Sequence, residues 1–344
     1  MPSPITLYDQ IASNNRKTLF LVLLFPILLI CIITAFCTLA VFIINEKEFT
    51  DLGVYTLISQ FPNIRHHITV DNIHLWSAIG HILPFVLPVT GLSLIWLLIA
   101  YNFGGQMMLG FSGAKETSFK EHPQLFRMVE NVAIAAGLPM PKLFIIADNS
   151  LNAFATGKSP KDASIALTSG IIKKLEPIEL EAVIAHEMAH IGNRDIRLNM
   201  LIITGLSFCA LFADIIRRFC IRRFCSDSKK QSQLVIFAFF IMVALTIFNV
   251  FIAPIIHMAV SRKREYAADA TGALIVRNPL ALASALEKIS QDARVENLDN
   301  QPTMSKVCIA NPCALHKNKI SNLFATHPPI EKRIAILKHL AGKI

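Results

Sequence analysis

The stretch Glu181-Ala-Val-Ile-Ala-His186-Glu187-Met-Ala-His190 decides how the rest of this chain is read. His186 and His190 are four apart, so on a helix their imidazoles leave one face at adjacent turns and can grip one metal ion. The helix itself is well specified. Pro177 suits a first-turn position, Glu179 and Glu181 favour the positive end of the helix dipole, and Leu180, Val183, Ile184 and Met188 supply an apolar face. The pattern is His-Glu-x-x-His, and its chemistry needs these residue types. Two neutral imidazoles leave a Zn²⁺ ion positive and coordinatively open, so that a water it holds falls to a pKa of about 7. Glu187 can take that water's proton and later pass it to the leaving amine. With 11 His in the chain, two can also share a helix face by accident, so context has to decide.

A third ligand is expected on another helix. Ser261-Arg-Lys-Arg-Glu265-Tyr-Ala-Ala-Asp269-Ala270 places Glu265 and Asp269 one turn apart on one face. Glu265 can complete a His₂Glu site, and Asp269 can accept the second ring N–H of a ligating histidine and fix its tautomer. The same pair, taken alone, also suits a solvated helix face.

Together, His186-Glu187-Met-Ala-His190 and Glu265-Tyr-Ala-Ala-Asp269, with two apolar segments between them, resemble the M48 membrane metalloproteases, and most closely their bacterial HtpX type. The similarity extends to Asn152-Ala-Phe-Ala-Thr-Gly157, to Leu167-Thr-Ser-Gly-Ile171 and to Thr326-His-Pro-Pro-Ile-Glu-Lys-Arg333, and so covers nearly the whole chain. The resemblance implies one zinc ion at His186, His190 and Glu265, with Glu187 as general base. It also implies a substrate-binding strand edge lined by Asn152, Ala153 and Phe154, and cations at His327 and Arg333 that reach the active site. Such cations can stabilise the oxyanion that develops on a scissile carbonyl. A plain structural strand, and an Arg paired with a helix end, are the alternatives for these last residues.

Composition agrees with a membrane setting. Of 344 residues, 53% are hydrophobic and 17% charged, which is too apolar for an ordinary soluble protein of this length. The net charge of +9 raises nucleic acid as a partner, but basic patches interleaved with aromatics are absent, and the Lys and Arg gather beside apolar stretches. Seven Cys, several inside apolar runs, imply no disulfide framework.

Four hydrophobic segments are expected, in an α+β, mainly helical, zincin-like chain with a small β-sheet. Residues 1–17 form a basic-ended cytoplasmic tail, and residues 18–102 two transmembrane helices joined by an acid-rich outer loop. Residues 103–197 form the first part of the catalytic domain. Its short strands are read at Lys142–Ile146, Ala153–Thr156 and Ser164–Thr168, and a helix at Glu121–Gly137. Residues 198–258 form a hydrophobic hairpin, and residues 259–344 carry the third ligand and two further helices. Leu198–Ile216, at about 19 residues with Asp214 inside, is expected to dip partway, with Asp214 and its Arg neighbours in a wet or protein-lined pocket.

The expectation for function is a zinc endopeptidase of the bacterial inner membrane, multi-pass, with its catalytic domain facing the cytoplasm. The resemblance implies quality control, with the lipid bilayer and unfolded or damaged membrane proteins as partners and no nucleic acid. A catalytically silent metal-dependent scaffold, and a protease that processes prenylated or signal peptides, stay open as alternatives. A purely structural zinc site would prefer four closed ligands and would have no use for Glu187.

Overall fold

The structure is a computed structural model that describes residues 70–224, 232–247, 253–292 and 328–342, Ile309, and a few single positions between 16 and 34. Nine helices and four strands are set among these residues. In chain order they are α1 (Val70–Phe111), β1 (Lys115–Glu116), α2 (Pro123–Ala136), β2 (Lys142–Ile146), β3 (Ala153–Thr156), β4 (Ser164–Thr168) and α3 (Ser169–Lys174). Then follow α4 (Pro177–Gly192), α5 (Asp195–Phe224), α6 (Ser232–Ile247), α7 (Ala253–Val276), α8 (Pro279–Gln291) and α9 (Ile330–Ala341). The chain divides into two compact units, one of residues 1–21, 99–206 and 254–344, the other of residues 22–98 and 207–253.

In the first unit the sheet runs in the order β1-β2-β4-β3. β2 and β4 are parallel, with Leu143 beside Ile165 and Ile145 beside Leu167. β3 is antiparallel to β4, with Ala153 opposite Leu167 and Ala155 opposite Ile165, and forms one edge of the sheet. The three strands read from the sequence coincide with β2, β3 and β4. The two-residue β1, antiparallel to β2, is too short to leave a pattern.

Local chemistry fixes the helix ends. Gly137 closes α2 in the left-handed region at φ 66, where a glycine carries no Cβ penalty. Asn278 caps α8, its side-chain oxygen accepting from the Ala281 N–H at 3.0 Å. α4 opens with a reciprocal capping box, in which Glu176 accepts from the N–H of Glu179 and the Glu179 carboxylate accepts from the N–H of Glu176 at 2.9 Å. Glu179 also accepts from Ser284 Oγ at 2.6 Å and Lys288 Nζ at 2.7 Å, which ties the start of α4 to α8.

α4 is the central helix. Every residue from Ala182 to Ile191 is buried, and α2, β3 and α8 pack around it. Val129 and Val132 of α2, Ile165 and Leu167 of β4, Val183 and Ile184 of α4, and Leu282 and Leu286 of α8 share one core. A helix buried on all sides is apolar on all sides, and its few polar residues then need a specific reason to be there.

Two helical stretches are long and apolar enough to cross a bilayer, Thr90–Phe111 and Asp195–Arg218. The first of the two helices expected in residues 18–102 lies outside the described residues apart from single positions. The expected segment at residues 234–258 falls partly outside the described residues, which take in α6 to Ile247 and α7 from Ala253. Residues 198–216 lie within a 30-residue helix, whose apolar window of 24 residues is about 36 Å long against about 30 Å of hydrocarbon. Asp214 lies on the part of that helix beyond Leu206. Its side chain is 35% exposed, and it pairs with Arg217 and Arg218 along its own helix, themselves 55% and 67% exposed. Helix propensity carries α5 past the apolar run and on through the arginines.

Candidate metal centre and active site

α4 and α7 carry the candidate ligand set. On α4 the rings of His186 and His190 stand 4.7 Å apart at 89° to one another. On α7, Glu265 turns its carboxylate toward both, with Oε1 3.5 Å from His190 Nε2 and Oε2 3.9 Å from His186 Nε2. One ligand atom from each residue lies within 4.8 Å of the others, and all three residues are buried. The approach of the two helices depends on Gly272, two turns after Glu265 on the same face of α7. A Cβ there would meet the Cα and N of His186 at 2.9 Å.

Behind each imidazole stands an acid. His186 Nδ1 is 3.0 Å from Asp269 Oδ1, within reach but off the best line for a hydrogen bond. His190 Nδ1 is 3.0 Å from Asp195 Oδ2 and well aligned. The acids are held in turn. Arg333 of α9, 1% exposed, grips Asp269 at both oxygens, Nε to Oδ2 at 2.8 Å and Nη2 to Oδ1 at 2.7 Å. Its Nη1 donates to the Ile309 carbonyl at 3.0 Å and lies 3.5 Å from Glu265 Oε2. Arg264 reaches Asp195 Oδ1 at 3.3 Å and Asn199 Oδ1 at 3.0 Å. Burial pushes the Asp269 carboxyl up, but the adjacent Arg333 charge and hydrogen bond prevail and hold it down at about 2. All three guanidinium nitrogens of Arg333 are thus engaged with the ligand set and its neighbours, the contacts of a positioning residue.

Asp195, Arg264 and Asn199 escaped the sequence reading. Two residues after α4 ends, Arg194 turns left-handed at φ 59, and α5 begins at once with Asp195, so the chain folds back and returns Asp195 to His190. The available signal was an acid five residues past the second histidine. Helix spacing does not connect such a pair.

Glu187 is buried beside the same ligands. Burial raises its pKa, and the nearby histidines and the Ala155 N–H that donates to it pull the other way without cancelling the rise. β3 therefore borders the site through Ala155. Asn152, Ala153 and Phe154 are each only 1% exposed. Asn152 accepts from the Thr168 N–H at 3.0 Å through its carbonyl, and its side chain accepts from the Ala153 N–H at 3.0 Å. His327 lies outside the described residues.

The donor set suits zinc. Two imidazoles whose Nδ1 atoms face carboxylates turn Nε2 inward, a carboxylate supplies a third ligand, and three protein ligands leave a further position for water or substrate.

Comparison with known proteins agrees with this geometry. The family model described as "Peptidase family M48" matches residues 120–341. A "Protease HtpX homolog" of Bacteroides fragilis strain YCH46 is 34% identical over 342 residues, covering 97% of this chain and 98% of its own. One of Tropheryma whipplei strain Twist is 38% identical over 261 residues, covering 76% and 87%. One of Dictyoglomus turgidum is 33% identical over 340 residues, covering 99% and 97%. The crystal structure of S. mikatae Ste24p aligns with a TM-score of 0.47 at 20% identity, over 74% of this chain and 57% of that one. On the family match and on relatives aligned end to end above 30% identity, the chain belongs to peptidase family M48, among its HtpX-type proteases.

Proposed function

We propose that this chain is a membrane-integral zinc endopeptidase with His186, His190 and Glu265 as ligands and Glu187 as general base. The observation that carries the proposal is the convergence of three buried ligand atoms within 4.8 Å next to a buried, unligated glutamate. When bound, a Zn²⁺ ion supplies the Lewis acid that polarises the scissile carbonyl and acidifies the attacking water. Glu187 accepts the proton that water loses on attack and delivers it to the leaving amine nitrogen, so one water is consumed per peptide bond broken. A base buried like this sits above the usual carboxylate range, which brings its proton affinity closer to neutral pH. Asp269 and Asp195 hold the imidazoles in the tautomer that presents Nε2, and Arg333 keeps Asp269 ionised.

The two long apolar helices support a membrane-integral protein; on its likeness to the HtpX-type proteases we assign it to a bacterial inner membrane, multi-pass with the site on the cytoplasmic side, and take misfolded or damaged membrane proteins as its substrates. The test is incubation of purified, zinc-loaded full-length protein with casein, with and without a chelator, beside Glu187→Gln. Chelator-sensitive cleavage that the variant lacks is expected. Zinc-loaded protein that cleaves nothing under any condition returns the scaffold reading.

A further inference from the structure

Ile309 occupies part of the edge on which a substrate would pair. In the β3–β4 ladder Asn152 accepts from the Thr168 N–H, and alternation then turns the main-chain groups of Ala153 and Ala155 away from β4, toward the free edge. At Ala153 both groups are taken. Its N–H donates to Asn152 Oδ1 at 3.0 Å, and its carbonyl accepts from the Ile309 N–H at 3.0 Å. Two residues on, about 7 Å along the strand, the Ala155 N–H goes to Glu187, and no hydrogen bond to the Ala155 carbonyl forms among the described residues.

Ile309 is firmly held. It is 2% exposed, its side chain belongs to the same core as Leu282 and Leu337, and its carbonyl accepts from Arg333 Nη1. A hydrogen-bonded path thus runs from Asp269 through Arg333 and Ile309 to Ala153. The group that braces a ligand's acid also braces this wall.

We propose that Ile309, with Asn152, is a specificity-determining end stop for the substrate strand. A peptide pairing with β3 finds a main-chain acceptor at Ala155 and none at Ala153. Main-chain recognition therefore ends within two residues of the cut on the Ala153 side. Peptides with one or two residues beyond the cut on that side suffice as substrates. This rests on the peptidase reading above.

The test is a backbone N-methyl scan. A ten-residue peptide cleaved once by the zinc-loaded full-length protein, its cut located by mass spectrometry, is methylated singly at each amide nitrogen, and kcat/KM is read for each. Loss of a main-chain donor that the enzyme uses should lower kcat/KM about tenfold. Such losses are expected on one side of the cut, while positions more than two residues out on the other change by about twofold or less. Ile309→Ala removes most of the buried anchor and should create a loss at those outer positions, whereas Ile309→Val should keep the wild-type profile. Tenfold losses reaching equally far on both sides in the wild type would show that the peptide displaces Ile309, and would overturn the end stop while leaving the peptidase reading intact. Absence of chelator-sensitive cleavage of every peptide would overturn the peptidase reading, and the end stop with it. The wild-type scan decides even where Ile309→Ala fails to fold.

Discussion

His190 makes metal uptake depend on pH. Burial pulls its imidazole toward the neutral form, but the Asp195 hydrogen bond and the charges of Glu265, Asp195 and Glu187 outweigh burial, and without metal the pKa is pushed up to about 9. A protonated ring has no lone pair for a metal, so an ion bound near neutrality displaces this proton. With a pKa of about 9 the unprotonated fraction rises about 100-fold from pH 6 to pH 8, against only about fourfold for an ordinary histidine. Zinc affinity should climb accordingly. Competition titration against a chelator, corrected for the chelator's own protonation, measures the slope, and Asp195→Asn should flatten it. A wild-type climb of only about fourfold would refute the reasoning. The same shift acts on the stability of the metal-free protein. The folded value lies above the unfolded one, so His190 stabilises fully below about pH 6.5, and its contribution, about 3 kcal/mol, fades as pH rises through about 9.

Glu187→Gln should abolish peptide cleavage while zinc content, measured on the purified variant, stays at one per chain; loss of zinc with activity would make Glu187 a ligand. Asp269→Ala should weaken zinc binding about 10–100-fold and also lower the melting temperature of the metal-free protein, because it takes from the buried Arg333 its closest ion-pair partner and leaves only Glu265 at 3.5 Å. Breaking such a pair costs about 3–5 kcal/mol, and Arg333→Met in the same chain should recover part of it. Gly272→Ala should weaken zinc binding about tenfold or more, since a Cβ 2.9 Å from His186 backbone atoms displaces α7 by more than the ~0.2 Å a ligand set tolerates. Its effect on folding should stay near ~1 kcal/mol, because alanine's better helix propensity offsets part of the overpacking; unchanged affinity would mean the helices adjust.

What could be read from the sequence was what a regular element repeats. His186 and His190, and likewise Glu265 and Asp269, are one turn apart on single helices, so spacing alone sets them on common faces. The strands around Ala153 and Ile165 announced themselves by short apolar runs between turn residues. Asp195 was hidden because it meets His190 across a left-handed junction at Arg194, where no period applies. Ile309 was hidden because a single buried residue, with no periodic apolar neighbours in the sequence, leaves no pattern. The full length of α5 could not be read from apolarity, because hydropathy ends near Ile216 while the helix continues through the arginines to Phe224.

Charge balance around the ligands joins these parts. Glu187, Glu265, Asp269 and Asp195 are buried acids, and Arg333 and Arg264 are the cations in contact with them. Two negative charges are left over, the amount that one divalent cation neutralises. Without the ion, a low-dielectric site restores balance by taking up protons instead. The groups around the ligands whose proton affinity rises include Glu187 and His190, whereas Asp269, already paired with Arg333, moves the other way. The arginines therefore do more than brace the ligands. By cancelling the charge of the outer acids, they leave the inner site with a deficit of two, which selects a divalent cation over protons as pH rises.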